Sequence, residues 1–201
     1  MIETFIQYLI LYFVVIDPIG TVPLFIVVTK GLKNNDKIRV AFEGVIIATL
    51  VLLFFAIFGS YLLKYLGISF NAFTIAGGII LFIISLQMLF DIRTERRKKS
   101  ISEKRESISI FPIAIPLLAG PAAITSVILA VSSAGENYSS FIINLISLTV
   151  VMIICLIVFR IFINFQKYIN EKIINIFSRV IGIILAALSI QYILDGIKSF
   201  F

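Results

Sequence analysis

Residues 13–25 read FVVIDPIGTVPLF: one acid, Asp17, and two prolines, Pro18 and Pro23, inside a stretch otherwise fit for hydrocarbon. The apolar run around it extends over 5–28. A bilayer is crossed by about 20 apolar residues, each rising about 1.5 Å along a helix. Five more runs of that order follow, at 40–63, 71–90, 108–131, 141–159 and 173–194. Hydrophobic residues make up 60% of the 201 and charged residues 14%, with a mean hydropathy of +1.12. Soluble domains run near half apolar and a quarter charged. A water-soluble core of this size cannot hide so much apolar surface, so the solvent is lipid. A chain in hydrocarbon must satisfy its own backbone polar groups, and no barrel-like alternation of polar and apolar residues is visible. The reading is an all-α integral membrane protein with six transmembrane helices. The first run has no basic flank, only Glu3, and is too long for a secretory signal, so it is expected to be retained.

Composition also narrows the chemistry. There is no His and one Cys, Cys155, which removes zinc sites, Cys–His nucleophiles and disulfide frameworks. No G-x-S-x-G elbow, phosphate-cradling Gly loop or dinucleotide fingerprint is present. The sequence therefore leads to no enzyme, no cofactor and no metal.

Loop charge sets the expected orientation. Lys30, Lys33, Lys37 and Arg39 follow the first run; Arg93, Arg96, Arg97, Lys98, Lys99, Lys104 and Arg105 follow the third. Arg160, Lys167, Lys172 and Arg179 surround the gap between the fifth and sixth. The opposite side has Lys64 and Lys198 alone, fifteen basic residues against two. The basic loops are expected in the cytoplasm and both termini outside. The net charge of +6 is thus a topology signal. The 92–107 linker has no interleaved aromatics, which argues against nucleic acid, although it can touch anionic headgroups. Residues 162–172 mix aromatic and polar positions and suggest a short interfacial helix.

The chain repeats itself. NAFTIAGGIILFIISLQMLFD (71–91) aligns with NIFSRVIGIILAALSIQYILD (175–195) at an offset of 104, matching Asn71/Asn175, Gly78/Gly182, Ser85/Ser189, Gln87/Gln191 and Asp91/Asp195. PIGTVP (18–23) aligns with PLLAGP (116–121) at an offset of 98, the shift falling in the longer loop of the second half. One membrane domain, 1–201, therefore divides into a first repeat (1–91), a linker (92–107) and a second repeat (108–201). Each repeat has three helices, the first broken by a Pro-x4-Pro pair. An odd number of crossings inverts the second repeat, and paired breaks in inverted repeats point to a midplane binding site.

Asp17 carries the sharpest chemistry. An acid at the bilayer centre costs about 2.5–3.5 kcal/mol on insertion scales and belongs in the protein interior or a watery cavity. Pro18 removes an N–H and disfavours α geometry at Asp17; Pro23 repeats the interruption. Gly20 allows close backbone approach and Thr21 adds a hydroxyl. The unwound stretch is expected to bind a small polar solute or coupling cation, against the plainer reading of Asp17 as a helix cap. By the proline offset, Ile115 stands where a second acid would be. Around Pro116 and Pro121 the second half supplies Ala119 and Gly120, then Thr125 and Ser126, for which bonding to the backbone carbonyl four residues back is the commoner fate. Ser178, Gly182, Ala186 and Ser189 answer Thr74, Gly78 and Ser85 as small-residue packing stripes. Glu43 is expected to pair with Arg39 at i, i+4, and Arg179 to snorkel to the interface.

Together, FVVIDPIGTVPLF (13–25), FPIAIPLLAGPAAI (111–124) and the paired GIIL…Q…D patterns at Gly78–Asp91 and Gly182–Asp195 resemble the MarC-type family of bacterial inner-membrane proteins, related to small neutral amino acid transporters. Thr21 departs from the resemblance, which would place Asn there. The resemblance implies six helices with both termini outside the bacterial inner (plasma) membrane, and neutral amino acids as leading solutes. The expected function is a transporter or exporter of small solutes. Asp17, Pro18, Gly20, Thr21, Pro23, Pro116, Gly120, Pro121, Thr125 and Ser126 are its candidate binding residues. The alternative is a membrane structural or assembly factor without transport. A small-molecule solute and the lipid bilayer are the expected partners, and a homo-oligomer is left open.

Overall fold

The structure, a computed structural model, describes residues 1–29, 31–90, 109–135, 137–164 and 171–199. The 92–107 linker, and residues 165–170 of the expected interfacial helix, lie outside the described residues. Among the described residues every regular element is a helix: α1 (Ile2–Ile16), α2 (Val22–Val28), α3 (Asn34–Tyr65), α4 (Phe70–Leu89), α5 (Ser109–Leu118), α6 (Pro121–Ala134), α7 (Tyr138–Asn164) and α8 (Glu171–Lys198). Phe162, expected in an interfacial piece, instead belongs to the last turn of α7.

Among the described residues, four helices are long and apolar enough to cross a membrane: α3, α4, α7 and the Ile176–Lys198 part of α8. The other two apolar runs are each divided. The first ends as α1 at Ile16 and resumes as the 7-residue α2. The second begins as α5 and resumes as the 14-residue α6. Proline explains both interruptions. Pro18 cannot donate a backbone bond and its ring clashes with the preceding turn. In α5, Pro112 and Pro116 remove two donors, and the backbone winds as a π-helix whose closing bond, Ala119 N–H to Ala114 O at 2.9 Å, spans five residues. Pro121 then opens α6 at a first-turn position, where a missing N–H costs nothing.

The long helices turn large apolar side chains outward. Leu50, Phe54 and Ile57 of α3 are 47–61% exposed, as are Ile153 and Ile157 of α7. Such a surface suits acyl chains, not water. Small residues and larger apolar ones fill the interior: Ala41, Ala48, Leu52 and Ala56 of α3 with Leu148, Val151 and Met152 of α7. α1 packs on α7, while α5, which follows it in the sequence alignment of the halves, packs on α3.

The most extensive helix pair is α4 with α8, and glycine makes it close. A methyl placed on Gly78 would come 2.8 Å from Ser189 O; one on Gly182 would come 3.3 Å from Ser85 O. Gly196 faces Asn71 O and Ile75 in the same way. Numbers rise along one helix as they fall along the other, so the two run antiparallel. Gly78 also meets Ile193, and Gly182 meets Leu89. Each contact maps onto the other when residues are exchanged at the offset of 104. Without a water-driven hydrophobic force, membrane helices associate through such close packing.

Candidate functional site

The break between α1 and α2 is built around Asp17. Its φ of 53° and ψ of 67° place it in the left-handed region, and among the described residues it alone does so without being glycine. Asp and Asn tolerate this conformation because their short side chains bond locally; other residues lose roughly 1–2 kcal/mol. Here the Asp17 N–H still donates to Phe13 O at 3.0 Å, closing α1. The Asp17 carbonyl accepts from the Thr21 N–H at 3.1 Å, and its carboxylate Oδ1 accepts from the Gly20 N–H at 2.9 Å. Thr21 donates its hydroxyl back to Pro18 O at 2.9 Å. The expected unwinding at 17–21 is therefore present as an ordered turn, and Asp17 serves as its cap. Asp17 is 2% exposed and Thr21 fully buried.

Gly20 is the tight point of this turn. A methyl there would strike the Asp17 carboxylate and come within 2.5 Å of Ser178 Oγ. Ser178, read from the sequence as part of a packing stripe, thus closes over the turn from α8. It lies in the first third of α8, beside Arg179. α2 is pinned below by a parallel stack of Phe25 on Phe159, with centroids 4.4 Å apart.

The second break has no acid. Ala119 and Gly120 are buried, Gly120 is extended with φ −82° and ψ 173°, and α6 starts without a side-chain cap. Pro116 falls within α5, Pro23 in the first turn of α2, and Pro121 is exposed at the head of α6. Thr125 is turned away from the first break: its methyl packs against Gly77 of α4. Ile128, on another face of α6, packs against Gly59 of α3. Ser126 is fully buried and its hydroxyl has no hydrogen-bond partner, so the expected bond to the carbonyl four residues back is not made.

Sequence reasoning passed over one buried polar pair. Tyr12 donates to Asn144 Oδ1 at 2.8 Å, both residues being fully buried. The Asn144 amide nitrogen has no partner, and Ser147 bonds back to Ile143 O at 2.8 Å on the same face. An amide within an apolar run of α7 was the available signal. The expected Arg39–Glu43 pair is present, Arg39 Nε donating to Glu43 Oε1 at 2.8 Å; Arg179 is exposed, and Gln191 donates to Asp195 Oδ1 at 2.8 Å.

Among the described residues, cavities open at the helix ends. One of about 750 Å³ lies where α3 and α6 end and includes Ser60, Lys64, Ser132 and Asn137. A second of about 230 Å³ lies between the start of α4 and the end of α8. The third, about 420 Å³, lies at the opposite, basic end between α3 and α7. Asp17 lines none of these three, because Gly20 and Ser178 close upon it.

The chain matches the MarC family of integral membrane proteins over residues 2–201. It is 36% identical to a UPF0056 membrane protein of Methanocaldococcus jannaschii, over 93% of this chain and 92% of that one. It is 33% identical to a UPF0056 membrane protein of Buchnera aphidicola, over 96% and 95%. A further relative, from Archaeoglobus fulgidus, is 32% identical over 93% of this chain and 89% of its own. No solved structure matches the chain significantly. A match spanning both broken helices and the paired glycine helices leaves one conclusion: this chain is a member of the MarC family.

Proposed function

We propose that the protein transports small polar solutes, neutral amino acids foremost, through a site formed where the two broken helices meet between the repeats. The observation that carries this reading is the buried Asp17 turn. A carboxylate is costly in a membrane unless it faces protein or water, and here it is combined with a backbone break that leaves carbonyls outside regular helix. The uncapped N-terminus of α6 offers the opposite polarity. A zwitterion can place its ammonium at Asp17 and its carboxylate toward that helix end. Neutral amino acids come from the family resemblance; the residues agree with them without selecting them. Proton movement by Asp17 fits the same geometry.

The wider architecture of this reading is six crossings in two inverted three-helix repeats, both termini outside the bacterial plasma membrane. The reciprocal Gly78–Ser189 and Gly182–Ser85 contacts support it, since exchange-symmetric contacts between antiparallel helices are what a two-fold axis in the membrane plane produces. The charge bias supports the orientation. Cysteines placed at Asn34 and Ser139, in a Cys155→Ser background, report on it: an impermeant thiol reagent outside the cell should label position 139 only. Labelling at 34 alone, or equally at both, would invert or dissolve the assignment.

Transport is tested by a solute panel with purified protein in liposomes. Flux of at least one neutral amino acid that disappears in Asp17→Asn supports the reading. A second reading, a membrane assembly factor without transport, is favoured by the Gly20 N–H bond to Asp17, which gives the carboxylate a structural task. Wild-type flux in Asp17→Asn, or no flux of any solute, would promote that reading.

A further inference from the structure

The cavity of about 420 Å³ at the basic end is a different kind of place from the Asp17 turn. It is lined by Asn35, Ile38, Arg39 and Phe42 of α3, and by Leu156, Ile157, Arg160 and Ile163 of α7, with Ala41 at its wall. On α3, Arg39 and Phe42 are three residues apart; on α7, Arg160 lies three and four residues beyond Ile157 and Leu156. Such spacings share one helix face. Both arginines line the crevice, with apolar side chains a turn deeper on both helices. Phe42 is 52% exposed and Ile157 51% exposed, so the crevice opens to the lipid-facing surface.

We propose that this crevice binds one anionic phospholipid, its phosphate between Arg39 and Arg160 and its acyl chains along Phe42, Leu156 and Ile157. Two arginines match a phosphodiester in charge, and the planar guanidinium fork matches its oxygens in shape. Glu43 accepts from the Nε donor of Arg39, one of five that a guanidinium carries. Glu43 also orients that fork. Asn35 also lines the crevice, and Asp36 is exposed in the first turn of α3. The apolar floor decides the source of the phosphate: a free anion would gain nothing from Phe42 and Ile157, whereas a lipid fills that surface with its own chains. Basic pockets between membrane helices on the positively flanked side are a recognised setting for acidic headgroups. The inference stands independently of transport.

Native mass spectrometry of the purified full chain tests it. Protein exchanged into detergent with equal phosphatidylglycerol and phosphatidylcholine should retain one phosphatidylglycerol in preference. At about one surface-basic interaction per arginine, Arg39→Gln and Arg160→Gln should each weaken retention roughly fivefold, and the double variant roughly thirtyfold. Lys64→Gln, at the opposite end, should leave it unchanged. Thermal stability of the single variants without lipid checks that they fold; either single variant suffices if the double one does not. Inorganic phosphate at millimolar concentration should neither displace the lipid nor stabilise the protein. Equal retention of both lipids, retention unaffected by the arginine variants, or full competition by phosphate would each overturn the proposal. A second copy of the chain occupying the crevice would appear as a dimer whose dissociation follows the arginine variants without lipid, and would also overturn it.

Discussion

The two halves break their first helix at the same place by proline spacing, yet they build different objects there. In the first half the break is a polar turn: Asp17 in the left-handed region, its carboxylate on the Gly20 N–H, Thr21 bonded back to Pro18. In the second half it is apolar and backbone-driven: α5 wound as a π-helix, then Ala119 and Gly120 leading into the uncapped α6. α4 and α8, by contrast, keep their symmetry, glycine against carbonyl in both directions. Matching packing surfaces stay alike when each is the other's partner, since a change on one side must be met across the seam. A break is under no such constraint, so one can hold a charge while the other stays apolar.

The largest expected effect separates the charge of Asp17 from its turn. Asn tolerates the left-handed region and can still accept from the Gly20 N–H. Asp17→Asn should therefore leave thermal unfolding in detergent near wild type while lowering liposome flux roughly 10- to 100-fold, the range for losing a charge-assisted hydrogen bond. Asp17→Ala loses the same flux and in addition roughly 1–2 kcal/mol of stability, from the missing cap and the left-handed backbone. If Asn and Ala behave alike in stability, the local bond is not what holds the turn.

The next effect probes the symmetric seam. A methyl on Gly78 meets Ser189 O at 2.8 Å and the Ile193 N–H at 3.1 Å, both backbone, whereas on Gly182 its nearest neighbours are at 3.1 and 3.3 Å. Gly78→Ala should cost about 1–3 kcal/mol as overpacking against an unyielding helix, and Gly182→Ala visibly less. Denaturant titration of both variants side by side reads the difference. Equal losses would mean the seam relaxes as one unit and that the two halves are mechanically equivalent after all.

The smallest effect lies in the second break. Ser126 buries a hydroxyl without a partner, so Ser126→Ala should be neutral or stabilising by up to about 1 kcal/mol. Unchanged flux in this variant would leave the polar chemistry in the first half alone. Reduced flux with raised stability would instead make Ser126 a solute contact, its hydroxyl kept free for that purpose.

Much of this was legible beforehand, for reasons that are local. Six apolar runs, the proline pairs, and the aligned Gly78/Gly182 and Ser85/Ser189 positions can be read without a fold, because hydrocarbon admits little else than helices and proline interrupts them wherever it falls. The Arg39–Glu43 pair was legible for the same reason, being one helical turn. The Tyr12–Asn144 bond was not. It joins residues 132 positions apart, and no periodicity within one helix announces a partner on another. The spacing of Ser178 suited a packing stripe, but only the fold shows that it packs on Gly20 of the first break, since which element a small residue meets depends on what the neighbouring chain brings to it.

By itself, then, the sequence determined the solvent, the helical class, where the helices break, the matching Gly78/Gly182 and Ser85/Ser189 positions, and the one acid worth testing, all properties carried by residue type and spacing along the chain. Only the tertiary structure decided the conformation of Asp17, the closure of Gly20 and Ser178 upon it, the turning of Thr125 toward Gly77 and the isolation of Ser126. Those depend on which faces of separate helices meet, and in a membrane, where almost every face is apolar, the pattern of apolar residues no longer says which face is inside.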